Sequence, residues 1–172
     1  MSPIPADLAT LLLGKVILPS NEAYTTLTAS YFAEQSRLRP ACYILPTSAE
    51  DVSITVQKPA KTPDAVFAIR GGGRSWNPGA ANIDGGVTID MRNLNLVSVD
   101  EETSIVSIGG GACFGDVHAV LGPKGLAIVG GFLTGSTLHT YPRILVFTNK
   151  QIRPSQEASP CSRKSAASRA TA

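Results

Sequence analysis

Apolar positions fall into short runs separated by turn residues, and their period changes from run to run. Residues 6–13 have the apolar density of a short helix, and residues 21–32 form a weaker helical candidate with aromatics at Tyr24, Tyr31 and Phe32. Both are expected to form an N-terminal arm, residues 1–37, packed on a later core. Pro40 introduces the extended run 42–45, closed by Pro46, which predicts the first strand. Thr47 with Glu50 and Ser48 with Asp51 offer two overlapping capping boxes before Val52, Ile54 and Val56, so a helix starts there and is expected to fail before Pro59. After the polar residues 61–64, the apolar run 65–69 has the length of a strand and a density that suggests burial on both faces. Strand, helix, strand in this order is a crossover unit.

Farther along, residues 87–90, 96–99 and 104–108 alternate with turn signals, and the acidic tract 100–102 reads as a solvated hairpin turn. Residues 114–121 predict a helix stopped by Gly122 and Pro123 and followed by a strand at 126–129. The expected class is α+β, with glycine at the strand exits. After Phe132 this order disappears. Residues 139–149 hold one strand-like run, and 150–172 are Ser, Ala and basic residues with no periodic core face, a composition expected to be disordered.

Composition sharpens that division. A chain of 172 residues, 43% hydrophobic and 16% charged, is about one ordinary soluble domain and excludes collagen, coiled coil and full disorder. The net charge of +2 conceals an asymmetry: residues 1–131 carry 9 Lys and Arg against 12 Asp and Glu, whereas 132–172 carry 6 against 1. Of the 16 glycines, only Gly135 follows Gly131. Cys42, Cys113 and Cys161 are odd in number and far apart, which suggests reduced thiols. The apolar stretch 8–18 is preceded by Asp7 and no basic residue, and Gly14 and Lys15 interrupt it, so a cytoplasmic protein without a signal peptide is expected. No run approaches the ~18 apolar residues of a membrane span.

Glycine carries the candidate chemistry. Residues 70–79 read RGGGRSWNPG directly after a predicted buried strand. Three successive glycines let the backbone approach an anion and turn their amides together on phosphate oxygens; the alternative is a tight turn packed for steric reasons. Better-known patterns fail. The dinucleotide fingerprint G-x-G-x-x-G meets Trp76 and Phe114 at its third glycine, and the phosphate-loop pattern from Gly130 to Gly135 continues with Ser136 instead of Lys. The nucleophile elbow around Ser75 ends in Asn77, and Pro78 and Gly79 bar the helix that should follow. Further clusters, 109–111 with Gly115 and Asp116, and Gly130 with Gly131, also sit at strand exits. Three such exits on one edge could line a long anionic cofactor.

The stretches PTSAEDV, FAIRGGGRSWNPGAANIDGGVTIDMRNLN, SIGGGACFGDV and GLAIVGG, across residues 8–131, resemble the FAD-binding domain of PCMH-type flavoproteins. These include the vanillyl-alcohol oxidase and berberine-bridge-enzyme-like oxidases, especially those of fungal secondary metabolism. The resemblance implies an α+β FAD domain of two small subdomains, here residues 38–131. It implies that Arg70, Gly71, Gly72, Gly73, Arg74 and Ser75 hold the FAD pyrophosphate. By the same resemblance Gly79, Ile83, Gly110, Gly111 and Asp116 border the cofactor, and Gly130 and Gly131 lie near its isoalloxazine end. Members pass a hydride from a small organic substrate to the flavin and are commonly reoxidised by oxygen.

Two departures matter. Many relatives have RGGGHS, whose histidine bonds covalently to the flavin; a guanidinium does not give up the proton such a bond requires, so Arg74 implies non-covalent FAD. Arg74 either pairs with the pyrophosphate or faces the surface. Secondly, relatives continue after GLAIVGG with another glycine-rich segment and a substrate domain, whereas this chain has FLTGSTLHTYPRILVF and the basic residues 132–172. That switch reads as a frameshift, a retained intron or an early stop in an oxidase gene. Family catalytic acids and bases come mostly from the substrate domain, so no catalytic residue is assigned.

His118 and His139 lack a carboxylate cluster, so no metal site is expected. Trp76 either stacks on a cofactor ring or plugs the core, and Cys113 either faces the cofactor or is a small buried thiol. Arg163, Lys164 and Arg169 lack an aromatic platform, so no nucleic-acid partner is expected. Beside the flavin-linked oxidoreductase stand a non-catalytic remnant or dinucleotide-binding module, and a serine hydrolase using Ser75, Asp116 and His139.

Overall fold

The computed structural model describes residues 4–103, 105–128, 143–145 and 147–148; Gly130, Gly131, His139, Cys161 and the composition-based expectation for 150–172 lie outside them. The first helices are α1 (Ile4–Leu11), α2 (Glu22–Ala29) and α3 (Ala49–Ala60). The first sheet contains β1 (Val16–Ile17), β2 (Cys42–Ile44), β3 (Phe67–Arg70) and β4 (Val87–Asp90), in the spatial order β1, β2, β4, β3. β2, β3 and β4 are parallel and β1 is antiparallel to β2. The crossover unit read from the pattern is present, with β4 inserted between its two strands.

Strand alternation assigns the faces. Cys42, Ile44, Val87 and Ile89 pack with Ile4, Leu8 and Leu12, joined by Val56 of α3. On the opposite face Tyr43 packs with Leu27, Tyr31 and Ala81. Both middle strands are buried throughout, whereas β3 alternates, with Phe67 and Ile69 exposed and Ala68 and Arg70 buried. The expectation that run 65–69 is buried on both faces is therefore corrected. Its apolar density matches that of an inner strand, but β3 is the edge, and its register places Phe67 and Ile69 beside Val87 and Ile89 without the same helical cover.

The second sheet comprises β5 (Val97–Asp100), β6 (Ile105–Ile108) and the backbone of β8 (Arg143–Leu145), all antiparallel. α4 (Phe114–Leu121) buries Phe114, Val117 and Leu121 against Val106, Ile108 and Ile128. A short pair joins β7 (Leu126–Ala127) to β9 (Phe147–Thr148). The chain is thus mixed α+β, with separate cores around the two sheets. Asp100 closes the predicted hairpin turn by accepting from the amides of Glu102 and Thr103.

Capping decides where α3 starts. Of the two candidate boxes the structure uses Ser48 with Asp51, whose Oδ2 also accepts from the Thr47 and Ser48 amides and from Lys15 Nζ at 2.6 Å. The helix runs through Pro59, correcting the expected stop before it. Pro59 lies in the final turn, where a proline removes only one amide donor, and Thr62 closes the end by donating from N to Pro59 O and from Oγ1 to Lys58 O.

Lys15 and the cap hydrogen bonds lower the Asp51 pKa to about 2. A depressed carboxylate contributes stability above its unfolded value, near pH ~4, and loses it as pH falls through the folded value. Asp51→Asn should therefore cost about 1–2 kcal/mol at neutral pH, with the loss shrinking toward pH ~2. Urea melts across that range test this, and a loss independent of pH would contradict it.

Candidate functional site

Parallel strands send their carboxyl ends to one edge of a sheet, and ligands of open α/β sheets bind outside that edge. Here it carries the glycine loop 71–75 after β3 and the 3₁₀ turn Met91–Asn93 after β4. The exit of β6 joins them, because the Gly109 amide donates to Leu96 O at 2.8 Å and the Gly111 amide to Leu94 O at 2.9 Å. A β-carbon at Gly109 would lie 2.1 Å from Leu94 O, and one at Gly111 would lie 1.8 Å from Met91 O. Glycine in this second cluster lets two backbones touch. Of the three expected glycine-rich exits, 71–75 follows β3 and 109–111 packs on the turn after the neighbouring strand β4; Gly130 and Gly131 of the third are outside the described residues.

The first loop is built differently. Two of its carbonyls and the next one along are held from one side: Gly73 O accepts from Phe32 N at 3.4 Å, Ser75 O from Ser36 Oγ at 3.1 Å and Trp76 O from Gln35 Nε2 at 3.1 Å. The amides of Gly71, Gly73, Arg74 and Ser75, by contrast, donate to no described residue. Gly73 has φ +65°, and a β-carbon there would lie 2.8 Å from Arg70 Nε. Unpaired amides at a strand exit need an acceptor, and an anion or water supplies one.

Arg70 lies beneath this loop. It is 4% exposed, and its Nη1 reaches Asp90 Oδ2 at 3.3 Å and Leu27 O at 3.2 Å. Nη2 donates to Ser30 Oγ at 2.8 Å and Ser30 O at 3.2 Å, and the guanidinium stacks 3.9 Å from the centre of the Tyr31 ring. Arg74 is exposed, with its guanidinium 5.4 Å from the Phe32 ring centre. Burial and the Asp116 carboxylate raise the Cys113 thiol pKa, and the Arg74 charge opposes them.

The remaining predicted residues divide. Asp116 Oδ2 accepts from the Cys113 amide at 3.0 Å, which makes it the cap of α4. Gly79 follows the loop at φ +85°, with open space where a β-carbon would sit. Ile83 is not brought to the loop: its side chain lies by Val66 and Gly86, at the amino ends of β3 and β4. Trp76 is 64% exposed and meets Phe32 edge-on at 5.1 Å, so it does not plug the core. The hydrolase arrangement finds no elbow, since no helix follows Ser75, whose Oγ accepts from the Asn77 amide. A cleft of about 580 Å³ beside α2, lined by Tyr24, Thr28, Arg37 and Arg39, includes no residue of the loop.

The sequence reading assigned no role to Asp90. A signal was available: the two parallel strands read FAIR and VTID, so each ends in a charge of opposite sign, and the register pairs Arg70 with Asp90. Among the described residues no helix is long and apolar enough to cross a membrane, and no cluster of His, Cys, Asp and Glu could hold a metal ion.

Comparison with known proteins agrees with this geometry. The family model of the FAD binding domain matches residues 40–138. An FAD-dependent monooxygenase of Emericella nidulans, sdcF, is 39% identical over 140 residues, covering 76% of this chain and 29% of the relative. The crystal structure of 6-hydroxy-D-nicotine oxidase from Arthrobacter nicotinovorans superposes with a TM-score of 0.66 at 30% identity, over 73% of this chain and 27% of that one. Xylooligosaccharide oxidase from Myceliophthora thermophila shares the fold, with a TM-score of 0.71 at 24% identity over 80% of this chain and 29% of that one. The chain thus spans under a third of the length of these relatives. With the domain match, the two-sheet fold and the glycine exits in agreement, the chain belongs to the PCMH-type FAD-binding oxidoreductase family of vanillyl-alcohol oxidase and berberine-bridge enzyme.

Proposed function

We propose that this chain is the FAD-binding portion of a flavin-linked oxidoreductase that acts on a small organic substrate, in fungal secondary-metabolite biosynthesis. The observation that carries this reading is the 71–75 loop, whose Gly73 and Ser75 carbonyls accept from Phe32 N and Ser36 Oγ while the amides of Gly71, Gly73, Arg74 and Ser75 have no described acceptor. Such a loop suits a diphosphate, and the space that Gly73 leaves over Arg70 admits no larger residue. Gly71, Gly72, Gly73, Arg74 and Ser75 would hold the diphosphate, with Gly79, Gly110, Gly111 and Asp116 beside it and Gly130 and Gly131 toward the flavin ring. FAD, when bound, supplies an acceptor for hydride. Arg74 adds a fixed charge to the loop's rim and leaves the cofactor non-covalently held.

The purified chain is expected to take up FAD, turn yellow and release all of the flavin to the supernatant on acid precipitation. Flavin retained in the pellet would refute non-covalent binding, and no uptake in equilibrium dialysis would refute the assignment. One observation favours a second reading, dinucleotide binding without turnover. Around the loop the Asp90 and Asp116 carboxylates are engaged in ion pairs and a helix cap, which occupies both for structure instead of proton transfer. Peroxide formation with substrate present would exclude that reading.

A further inference from the structure

We propose that Arg70 is a positioning residue for the anion loop, holding an under-compensated positive charge beneath it, and that Arg92 sets how much of that charge the ligand feels. The inference rests on the diphosphate reading of residues 71–75.

A single carboxylate serves two guanidinium groups. Asp90 accepts from the Arg92 guanidinium at two points, Nε to Oδ1 at 3.0 Å and Nη2 to Oδ2 at 2.8 Å, whereas Arg70 reaches only Oδ2, at 3.3 Å. Among the described residues neither arginine has another carboxylate within ion-pair distance. The triad therefore carries one net positive charge, and the weaker share of Asp90 falls to the buried partner. Arg70 compensates with the carbonyls of Leu27 and Ser30 and the face of Tyr31, all below the loop.

One atom is left over. Arg70 Nε is buried and has no hydrogen-bond partner among the described residues, and it is the atom that a β-carbon at Gly73 would meet first. An orphaned guanidinium N–H is costly in a protein interior, where fields are also screened least. Placed under the left-handed turn at Gly73, beside amides of Gly71, Gly73, Arg74 and Ser75 that have no described acceptor, it adds positive potential where an anion would sit. Arg70 acts through the loop and is buried below it.

The test uses the full chain, with ADP and AMP as probes and the fluorescence of Trp76, the only tryptophan, as the signal. The parent is expected to prefer ADP and to bind it more weakly as salt rises. Arg92→Gln leaves Arg70 as the one cation on Asp90 among the described residues and neutralises the pair; it should weaken ADP several-fold and flatten the salt dependence, with unchanged far-ultraviolet circular dichroism. Arg70→Gln should weaken ADP by about tenfold or more, and Arg70→Lys, which keeps the charge and loses the fork, by less. If the Arg70 variants do not fold, Arg92→Gln decides. Folded variants with the parent's ADP affinity and salt slope would overturn the proposal, and a parent that binds neither ADP nor FAD would overturn the diphosphate reading beneath it.

Discussion

Replacing Gly111 by alanine is expected to destabilise the fold by about 3 kcal/mol or more, among the largest effects available from adding one methyl group. The new β-carbon would lie 1.8 Å from Met91 O and 2.4 Å from Met91 C, both backbone atoms of a turn that cannot rotate away. Relief requires lifting residues 109–113 off residues 91–94, which breaks the bond from the Gly111 amide to Leu94 O. That contact ties the exit of β6, and behind it α4 and the second core, to the exit of β4. Gly122→Ala is the control, because its β-carbon meets nothing within 4 Å and its backbone is helical, so it should be neutral or stabilising by up to ~1 kcal/mol. Urea denaturation of both variants reads the difference, and an equal response would show that backbone contact is not what requires glycine at 111.

Gly111 also marks the limit of what the sequence discloses. Local rules carry α4 well: the apolar run and the Gly122 and Pro123 stop bound the helix at Phe114–Leu121 as predicted. The Ser48 and Asp51 start of α3, strand β4 and the crossover unit were equally legible, because each depends on neighbours in the chain. What was lost depends on partners far along it. Val16 and Ile17 pair with Ile44 and Tyr43 although they lie inside a stretch that only resembled a signal segment. Phe67 and Ile69 read as core because an apolar run does not say whether a strand is an edge. The glycine clusters were visible as alike, yet 109–111 gives backbone contact, whereas in the other the amides of Gly71, Gly73, Arg74 and Ser75 have no acceptor among the described residues. That distinction comes from Met91 and Leu94 on one side and Phe32, Gln35 and Ser36 on the other.

Asp90→Ala should cost about 3–5 kcal/mol, because it strands a charge that cannot reach water. Arg92, whose side chain is 40% exposed, can turn into solvent, whereas the Arg70 side chain is 5% exposed and walled in by Tyr31 and the end of α2. If the penalty is the orphaned guanidinium, removing it should recover stability: Asp90→Ala with Arg70→Met should melt closer to the parent than Asp90→Ala alone, a coupling that a double-mutant cycle in urea measures. A loss below ~1 kcal/mol in the single variant would show that Arg70 is already neutralised by the α2 carbonyls. The two readouts should also move in opposite directions. Asp90→Ala leaves two uncompensated arginines near the loop, so its folded fraction should bind ADP more tightly even as the protein unfolds at lower denaturant. A purely structural pair would weaken both together, and it is this divergence that separates a scaffold salt bridge from one that sets the charge under an anion site.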